Sequence, residues 1–293
     1  MSEASYHQAA GLNSFASPKP VQVIAITSGK GGVGKTNVSV NMALAMAGQG
    51  KRVMLLDADL GLANVDVMLG LRPAYNLSHV INGERTLEEV IVEGPGGIRI
   101  VPAASGVKMM ATLSPAELAG VVRAFSELND QIDVLLVDTA AGISNDVISF
   151  ARAAQEVVVV VCDEPASLTD AYALIKVLNQ EYQVERFHIL SNMTRTAQEG
   201  REMFAKLGRV ALRYLDATLT FMGSVPWDDA LRKAVRQQRP VVEAYPRSRA
   251  AMAFKNLASH ADKWPRPAAA AGHLEFFVER LINARQRDLE PLP

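Results

Sequence analysis

Short apolar runs alternate with longer amphipathic segments along most of the chain. The runs are nearly continuously apolar and rich in β-branched residues, which is typical of strands buried on both faces of a parallel sheet. Between them, segments such as residues 37–50 and 167–182 carry apolar residues at helical spacing. This alternation predicts an α/β fold, namely a doubly wound, mostly parallel sheet with helices on both faces. The predicted strands cover residues 21–27, 52–58, 97–103, 133–140, 156–162, 186–192 and 220–226.

Changes in composition suggest three parts of the chain. Residues 1–20 are small, polar and proline-containing, which predicts a flexible N-terminal arm. Residues 21–262 show no break in composition, so we interpret them as one domain. The stretch WPRPAAAAG at 264–272 is a strong linker candidate, so residues 263–293 are predicted to hold a linker and a C-terminal amphipathic helix.

The overall composition restricts the class of protein. The chain has 293 residues with 30 basic and 31 acidic side chains, so its net charge of -1 gives no general attraction to nucleic acid. We therefore expect no direct specific nucleic-acid binding, although a local basic patch is compatible with this balance. The single cysteine, Cys162, excludes an intrachain disulfide framework and a four-cysteine zinc site. The start has no secretory pattern, and we expect a cytoplasmic protein.

Residues 29–36, GKGGVGKT, fit the phosphate-loop pattern G-x-x-x-x-G-K-[ST] between a predicted strand and a predicted helix. Glycines let successive backbone N–H groups point at a phosphate, and the N-terminus of the helix adds positive potential. Lys35 is expected to bridge the β- and γ-phosphates, and the Thr36 hydroxyl to coordinate Mg²⁺. The predicted nucleotide-binding residues here are Gly29, Lys30, Gly31, Gly32, Val33, Gly34, Lys35, Thr36 and Asn37.

Carboxylates follow two of the predicted strands. Asp138 comes after four apolar residues, a Walker B pattern in which the carboxylate holds Mg²⁺ directly or through water. The small residues 139–142 that follow are suited to a switch loop that senses the γ-phosphate. Asp57 and Asp59 end another strand and, at period two, point the same way. The structural alternative for Asp59 is a cap of the turn before Gly61.

The stretches KGGVGKT (30–36) and DADLGLANVD (57–66) resemble the deviant Walker A and switch I motifs of the MinD/ParA family of ATPases. The resemblance implies ATP and Mg²⁺ as cofactors, slow ATPase activity and a homodimer that forms on ATP binding. It implies that Lys30 reaches across the dimer interface to the partner's nucleotide. The alternative is that Lys30 is a solvated loop lysine. The implied catalytic residues are Lys30, Lys35 and Asp59, and the implied metal site comprises Thr36, Asp57, Asp59 and Asp138.

Individual roles are also implied by this resemblance. Asp59 would orient the attacking water, Asp57 would support the Mg²⁺ shell, and Asp66 would help to fix the loop. Members of the family hold adenine with an asparagine after one late strand and with backbone around a proline after the next. Asn192 and Pro226 match these two places. The alternative for Asn192 is an ordinary turn residue.

Longer stretches resemble the FlhG/FleN type of this family, which regulates flagellar number. They include residues 28–41, 55–71, 162–176 and 272–281. The resemblance implies a switch that restrains a flagellar master transcription activator. Two alternatives are a MinD-type ATPase that cycles on the membrane and positions division, and a ParA-type DNA-partition ATPase. The switch sequence DADLGLAN (57–64) is of the MinD type.

Both ends of the chain carry candidate partner elements. HQAAGLN (7–13) resembles a degenerate DQAxxLR element, with which some FlhG proteins stimulate the signal-recognition-type GTPase FlhF. His7 and Asn13 replace its two charged residues, so the segment is either an element for FlhF or an arm without that role. Near the C-terminus, Leu274, Phe277, Val278 and Leu281 form one apolar helix face. This face predicts either peripheral membrane contact in the ATP state or docking on the body of the protein.

Overall fold

A central eight-stranded sheet organises the chain in the computed structural model, which describes residues 20–59, 64–102, 115–128, 131–265 and 274–287. The strand order is β3-β4-β2-β5-β1-β6-β7-β8, and all neighbours are parallel except β3, which runs antiparallel to β4. The strands are β1 Gln22–Ser28, β2 Val53–Ala58, β3 Val92–Glu93, β4 Arg99–Val101, β5 Val134–Ala141, β6 Glu156–Val161, β7 Arg186–Thr194 and β8 Thr218–Pro226.

Helices cover both faces of this sheet, which confirms the predicted doubly wound α/β fold. In chain order, the helices are α1 Lys35–Ala47, α2 Val65–Leu69, α3 Leu77–Ile81, α4 Leu87–Val90, α5 Pro115–Ser126, α6 Asn145–Ala153, α7 Pro165–Gln180, α8 Ala197–Tyr214, α9 Asp229–Arg236, α10 Val241–Ala244, α11 Arg249–Ala261 and α12 Leu274–Arg287.

The alternation of side chains along β1 shows how the two faces arise. Ile24 and Ile26 point into one core, which α1, α10 and α11 cover. Val23 and Ala25 point into the other core, beneath α5, α6 and α12. Both sets are buried, so the central strands are apolar at nearly every position, as the sequence pattern indicated. All seven predicted strands are present, and only the two-residue β3 was not predicted.

The C-terminal helix α12 is docked on the body of the protein. It packs against α5 and α6, and its residues Phe277, Val278, Leu281 and Ile282 are each only 1% exposed. Phe277, Val278 and Leu281 of the predicted apolar face are therefore covered by the protein itself in this structure. In the part of the chain that the structure describes, no helix is long and apolar enough to cross a membrane.

Some predictions from the sequence lie outside the described residues. They include nearly all of the N-terminal arm with its HQAAGLN element, and most of the linker candidate at 264–272. Residues 60–63, in the middle of the predicted switch I motif, also lie outside them. The division of the chain into arm, domain and C-terminal extension stays a prediction.

Candidate nucleotide site

The phosphate loop lies where the strand order changes direction. After β1 the chain forms α1 and then β2 on one side of β1, whereas β6 to β8 lie on the other side. Ligands of doubly wound sheets bind in the crevice that such a reversal opens at the carboxyl ends of the strands. The loop ends at Gly34, which caps α1 with no side-chain hydrogen bond, so the first turn of α1 is left for an anion.

Two loop glycines are required by close packing. A Cβ at Gly29 would lie 2.1 Å from the backbone carbonyl carbon of Asp170 in α7. A Cβ at Gly34 would lie 2.5 Å from the side-chain nitrogen of Asn192, and the φ of Gly34 is +83°. No other residue fits either position without moving its neighbours. The loop is thus clamped between α7 and the end of β7.

Lys35 and Asp138 form a buried ion pair beneath the loop. The Lys35 Nζ lies 3.0 Å from Asp138 Oδ1, and the side chains are 8% and 0% exposed. The hydroxyl of Ser39 donates to the same oxygen at 2.7 Å. Ser39 was not predicted, although it stands four residues after Lys35 and so shares its face of α1. The Walker A lysine and the Walker B aspartate are therefore adjacent, as the motifs required.

The remaining oxygen of Asp138 fits a divalent cation. Asp138 Oδ2 is buried and has no hydrogen-bond partner among the described residues. A buried carboxylate oxygen without a donor is costly unless a cation or a donor completes it. Mg²⁺ prefers oxygen ligands, and a second one, the Thr36 hydroxyl, follows Lys35 directly at the start of α1. The donor set therefore fits the Mg²⁺ expected from the sequence, with Thr36 and Asp138 as its candidate ligands.

Asp57 organises the switch backbone. Its carboxylate accepts N–H bonds from Asp59 at 3.1 Å and from Asn64 and Val65 at 3.2 Å each. Burial and the facing Asp138 carboxylate on β5 raise the pKa of Asp57 to about 7. Because backbone donors occupy both oxygens, the contacts of Asp57 are those of a loop organiser. Its contribution to a metal shell stays a prediction.

Asp59 lies at the mouth of the phosphate loop. It follows the last residue of β2, and its Oδ2 accepts a hydrogen bond from the Asn64 amide at 3.2 Å. Asp59 lines the same cavity as the loop, and its role in orienting water stays a prediction. Asn64 was not singled out from the sequence. Among the described residues, the Asp66 side chain, in contrast, accepts a local bond from the adjacent Val67 N–H at 2.7 Å.

Lys30 is turned onto its own subunit. Its Nζ lies 2.5 Å from Glu164 Oε2, and the two side chains are 37% and 56% exposed. The hydrogen bond to Glu164 raises the pKa of Lys30 above its ordinary value. Lys30 is thus ion-paired, not a freely solvated loop lysine. Glu164 was missed, although it follows β6 closely and β6 neighbours β1, which leads into the loop.

Asn192 supports the phosphate loop. Its side-chain nitrogen donates to the Val33 carbonyl at 2.7 Å, while its Oδ1 is buried without a hydrogen-bond partner among the described residues. Pro226 ends β8, the neighbour of β7, and Thr194 pairs with it in the sheet. The two predicted base-binding positions are therefore on adjacent strand ends. Contact of either residue with a base stays a prediction.

The phosphate loop lines a cavity of about 690 Å³, within the range of ligand pockets. Loop residues 31–37 line it together with Asp59 and Asn64. Val235, near the C-terminal end of α9, and Gln238, two residues after α9 ends, line it as well. Gln238 was not predicted from the sequence.

A clamped phosphate loop, a buried Walker pair and a strand-end carboxylate define a P-loop nucleotide-binding protein. A family model described as ParA, "NUBPL iron-transfer P-loop NTPase", matches residues 19–261. The chain belongs to the ParA family of P-loop NTPases.

Several relatives are similar over most of their length. The chain is 60% identical to the antiactivator FleN of Pseudomonas aeruginosa, over 93% of this chain and 97% of that protein. It is 36% identical to the flagellum site-determining protein YlxH of Helicobacter pylori, over 74% of this chain and 73% of that protein. The solved structure of MinD complexed with Mg-ADP from Pyrococcus horikoshii covers 83% of this chain and 96% of its own, with a TM-score of 0.66 and 26% identity.

Proposed function

We propose that the chain is an ATP-dependent dimerising switch with slow ATPase activity that regulates flagellar biosynthesis. The observation that carries this proposal is the position of Lys30, which the loop has in addition to the phosphate-binding Lys35. Lys35 is buried against Asp138, whereas Lys30 belongs to the same loop but is partly exposed and pairs with the exposed Glu164. A surface cation at the rim of a phosphate site is placed to serve a nucleotide bound by another subunit.

We expect the nucleotide to be ATP, since the similar MinD structure from Pyrococcus horikoshii is complexed with Mg-ADP. The side-chain oxygens of Asn37 and Asn192 are both buried and have no hydrogen-bond partner among the described residues. Both oxygens are acceptors. The exocyclic group of adenine is an amine, which donates, whereas guanine presents a carbonyl oxygen at that position. A base placed against either oxygen would therefore be satisfied as adenine and not as guanine.

Hydrolysis would be carried by the chain's own carboxylates and lysines. Lys35 would leave Asp138 for the β- and γ-phosphates. Asp138 and Thr36 would hold Mg²⁺, which would supply positive charge that neutralises these phosphates. Asp59 orients the attacking water, and Asn64 fixes the Asp59 carboxylate. Lys30 exchanges Glu164 for the partner's nucleotide, so dimer formation and nucleotide state depend on each other.

Lys30→Ala tests the switch. We expect the variant to bind Mg-ATP like the wild type but to remain monomeric on a sizing column with light scattering. Glu164→Gln is the matched control, since it removes the ion pair and leaves Lys30 in place. We expect this control to dimerise in ATP at least as readily as the wild type. An ATP-dependent dimer of Lys30→Ala would refute the role in trans.

The proposed role in flagellar regulation rests on the names of the relatives. FleN is named an antiactivator and YlxH a flagellum site-determining protein. We propose that the ATP-bound dimer binds and restrains a master transcription activator of flagellar genes, which limits flagellar number. Contact with the GTPase FlhF through residues 7–13 is a further part of the proposal. Pulldown of purified FlhF with the full chain and with residues 1–19 deleted tests that contact.

Peripheral membrane contact through α12 is supported by how α12 is docked. The switch loop after Asp138 leads directly into α6, and α6 carries part of the surface that covers Phe277 and Leu281. A shift of α6 on ATP binding would release an apolar helix face. We expect co-sedimentation with anionic vesicles in ATP but not in ADP, and a loss of it in the double variant Phe277→Ala, Leu281→Ala. Equal binding in both nucleotides would contradict the proposal.

A further inference from the structure

Gln238 adopts a backbone conformation that usually belongs to glycine. It follows α9 with a φ of +53°. Its N–H donates to the Val235 carbonyl and the N–H of Arg239 donates to the Ala234 carbonyl, each at 3.0 Å. This pair of bonds is the Schellman motif, whose left-handed position is most often glycine because other residues are strained there. We therefore asked whether the side chain of Gln238 makes a contact that glycine could not make.

The side chain of Gln238 is tied to a distant part of the chain. Its Nε2 donates to the Val67 carbonyl of α2 at 2.6 Å, across 171 positions of sequence. The end of α2 packs on the same side chain, since a Cβ at Gly70 would lie 3.5 Å from Gln238 Oε1. Gln238 therefore joins the C-terminal end of α9 to the short helix α2.

Both joined elements line the nucleotide cavity, α2 through Val67 and the end of α9 through Val235. The helix α2 starts directly after Asn64, which holds the Asp59 carboxylate. Gln238 itself lines the cavity together with Asp59 and Asn64. The Gln238 amide thus joins the end of α9 to the helix that follows Asn64, and through Asn64 to the carboxylate that would position water.

We propose that Gln238 is a positioning residue for ATP hydrolysis. By fixing α2, it holds Asn64 and hence the Asp59 carboxylate at a set place relative to the phosphate loop. The inference rests on the proposed ATPase function for the step it affects. Gln238 need not touch the reacting atoms for this role. The role also explains why a glutamine occupies a backbone position that glycine would fill without strain.

Gln238→Gly removes the side-chain amide but leaves the backbone conformation of the turn intact. Glycine suits the left-handed position, so we expect an unfolding temperature equal to or above that of the wild type. We expect a similar affinity for Mg-ADP and a kcat lowered about tenfold, as one hydrogen bond of ~1.4 kcal/mol implies. Gln238→Glu keeps the shape but faces the Val67 carbonyl with an acceptor, and should lose kcat to a similar extent. Gln237→Ala is the control, because Gln237 Nε2 bonds instead to the Tyr245 hydroxyl.

A second readout does not depend on hydrolysis. In the nucleotide-free protein, amide hydrogen exchange across residues 64–69 should rise in Gln238→Gly and stay unchanged in Gln237→Ala. Unchanged exchange in Gln238→Gly would overturn the inference, as would a normal kcat. A raised KM with a normal kcat would also overturn it, since Gln238 would then act on binding. A wild type that hydrolyses no ATP would refute the proposed function, while the exchange experiment still decides the tie to α2.

Discussion

Lys35→Ala is expected to abolish nucleotide binding. The Lys35 ammonium is the buried cation of the phosphate loop, and its removal takes away the charge that pairs with the phosphates. Truncating one partner of such a pair costs roughly 2–5 kcal/mol, so the Kd for Mg-ADP should rise by at least about 30-fold. Isothermal titration calorimetry with Mg-ADP is the measurement.

Folding has to be separated from binding in this variant. Loss of Lys35 also leaves the Asp138 carboxylate, which is 0% exposed, without its cation. The double variant Lys35→Ala, Asp138→Asn removes that buried charge and should regain thermal stability without regaining affinity. Lys51→Ala, which breaks the more exposed pair with Asp262, should leave binding unchanged. Tight Mg-ADP binding by a folded Lys35→Ala protein would contradict the assignment of the phosphate site.

Asp59→Ala is expected to trap the ATP-bound dimer. The phosphate loop and the Lys30 side chain are untouched by this change, so ATP binding and dimer formation should persist. Without the carboxylate that orients water, hydrolysis should fall by roughly 10²–10⁴-fold. Phosphate release measures the rate, and a sizing column run at intervals after ATP addition shows how long the dimer lasts.

Asp66→Ala is the matched control for the Asp59 experiment. Asp66 stands in the same switch segment, but within the described part of the chain its carboxylate bonds to the adjacent Val67 N–H alone, so its loss should change hydrolysis little. A monomeric Asp59→Ala protein in ATP, or one that hydrolyses ATP normally, would remove Asp59 from its proposed role. The trapped dimer also serves as bait, and a flagellar transcription activator is the protein expected to co-purify with it from lysate.

Much of the fold was accessible from the sequence because it depends on local patterns. Strands buried on both faces leave nearly unbroken apolar runs, and every run predicted as a strand is one. The phosphate loop was equally accessible, since its glycines, Lys35 and Thr36 are consecutive in the chain. Asp138 followed from its position at the end of such a run. These features share one property, namely that the signal lies within a few residues.

The parts of the site that were missed are made by contacts between distant segments. Glu164 meets Lys30 across 134 positions, and Gln238 meets Val67 across 171. Glu164 lies in the stretch 162–176 that resembles FlhG/FleN proteins, but that resemblance assigned it no role, and an exposed glutamate or glutamine on its own predicts no contact. Asn192 was found by resemblance, yet its bond to the Val33 carbonyl required the packing of β7 beside the loop. Register and tertiary packing, which single-sequence patterns do not encode, determine these contacts.

The packing of Gly29 against α7 has a consequence for the speed of the switch. The loop backbone packs closely on α7, whose first residue comes directly after Glu164. Lys30 can leave Glu164 by rotation about its own side-chain bonds, with this backbone packing intact, and exposed side chains rotate in picoseconds to nanoseconds. The release of Lys30 would then not limit the rate of the switch. The encounter of two subunits would set how fast the dimer forms, and the chemistry between them would set how long it lasts.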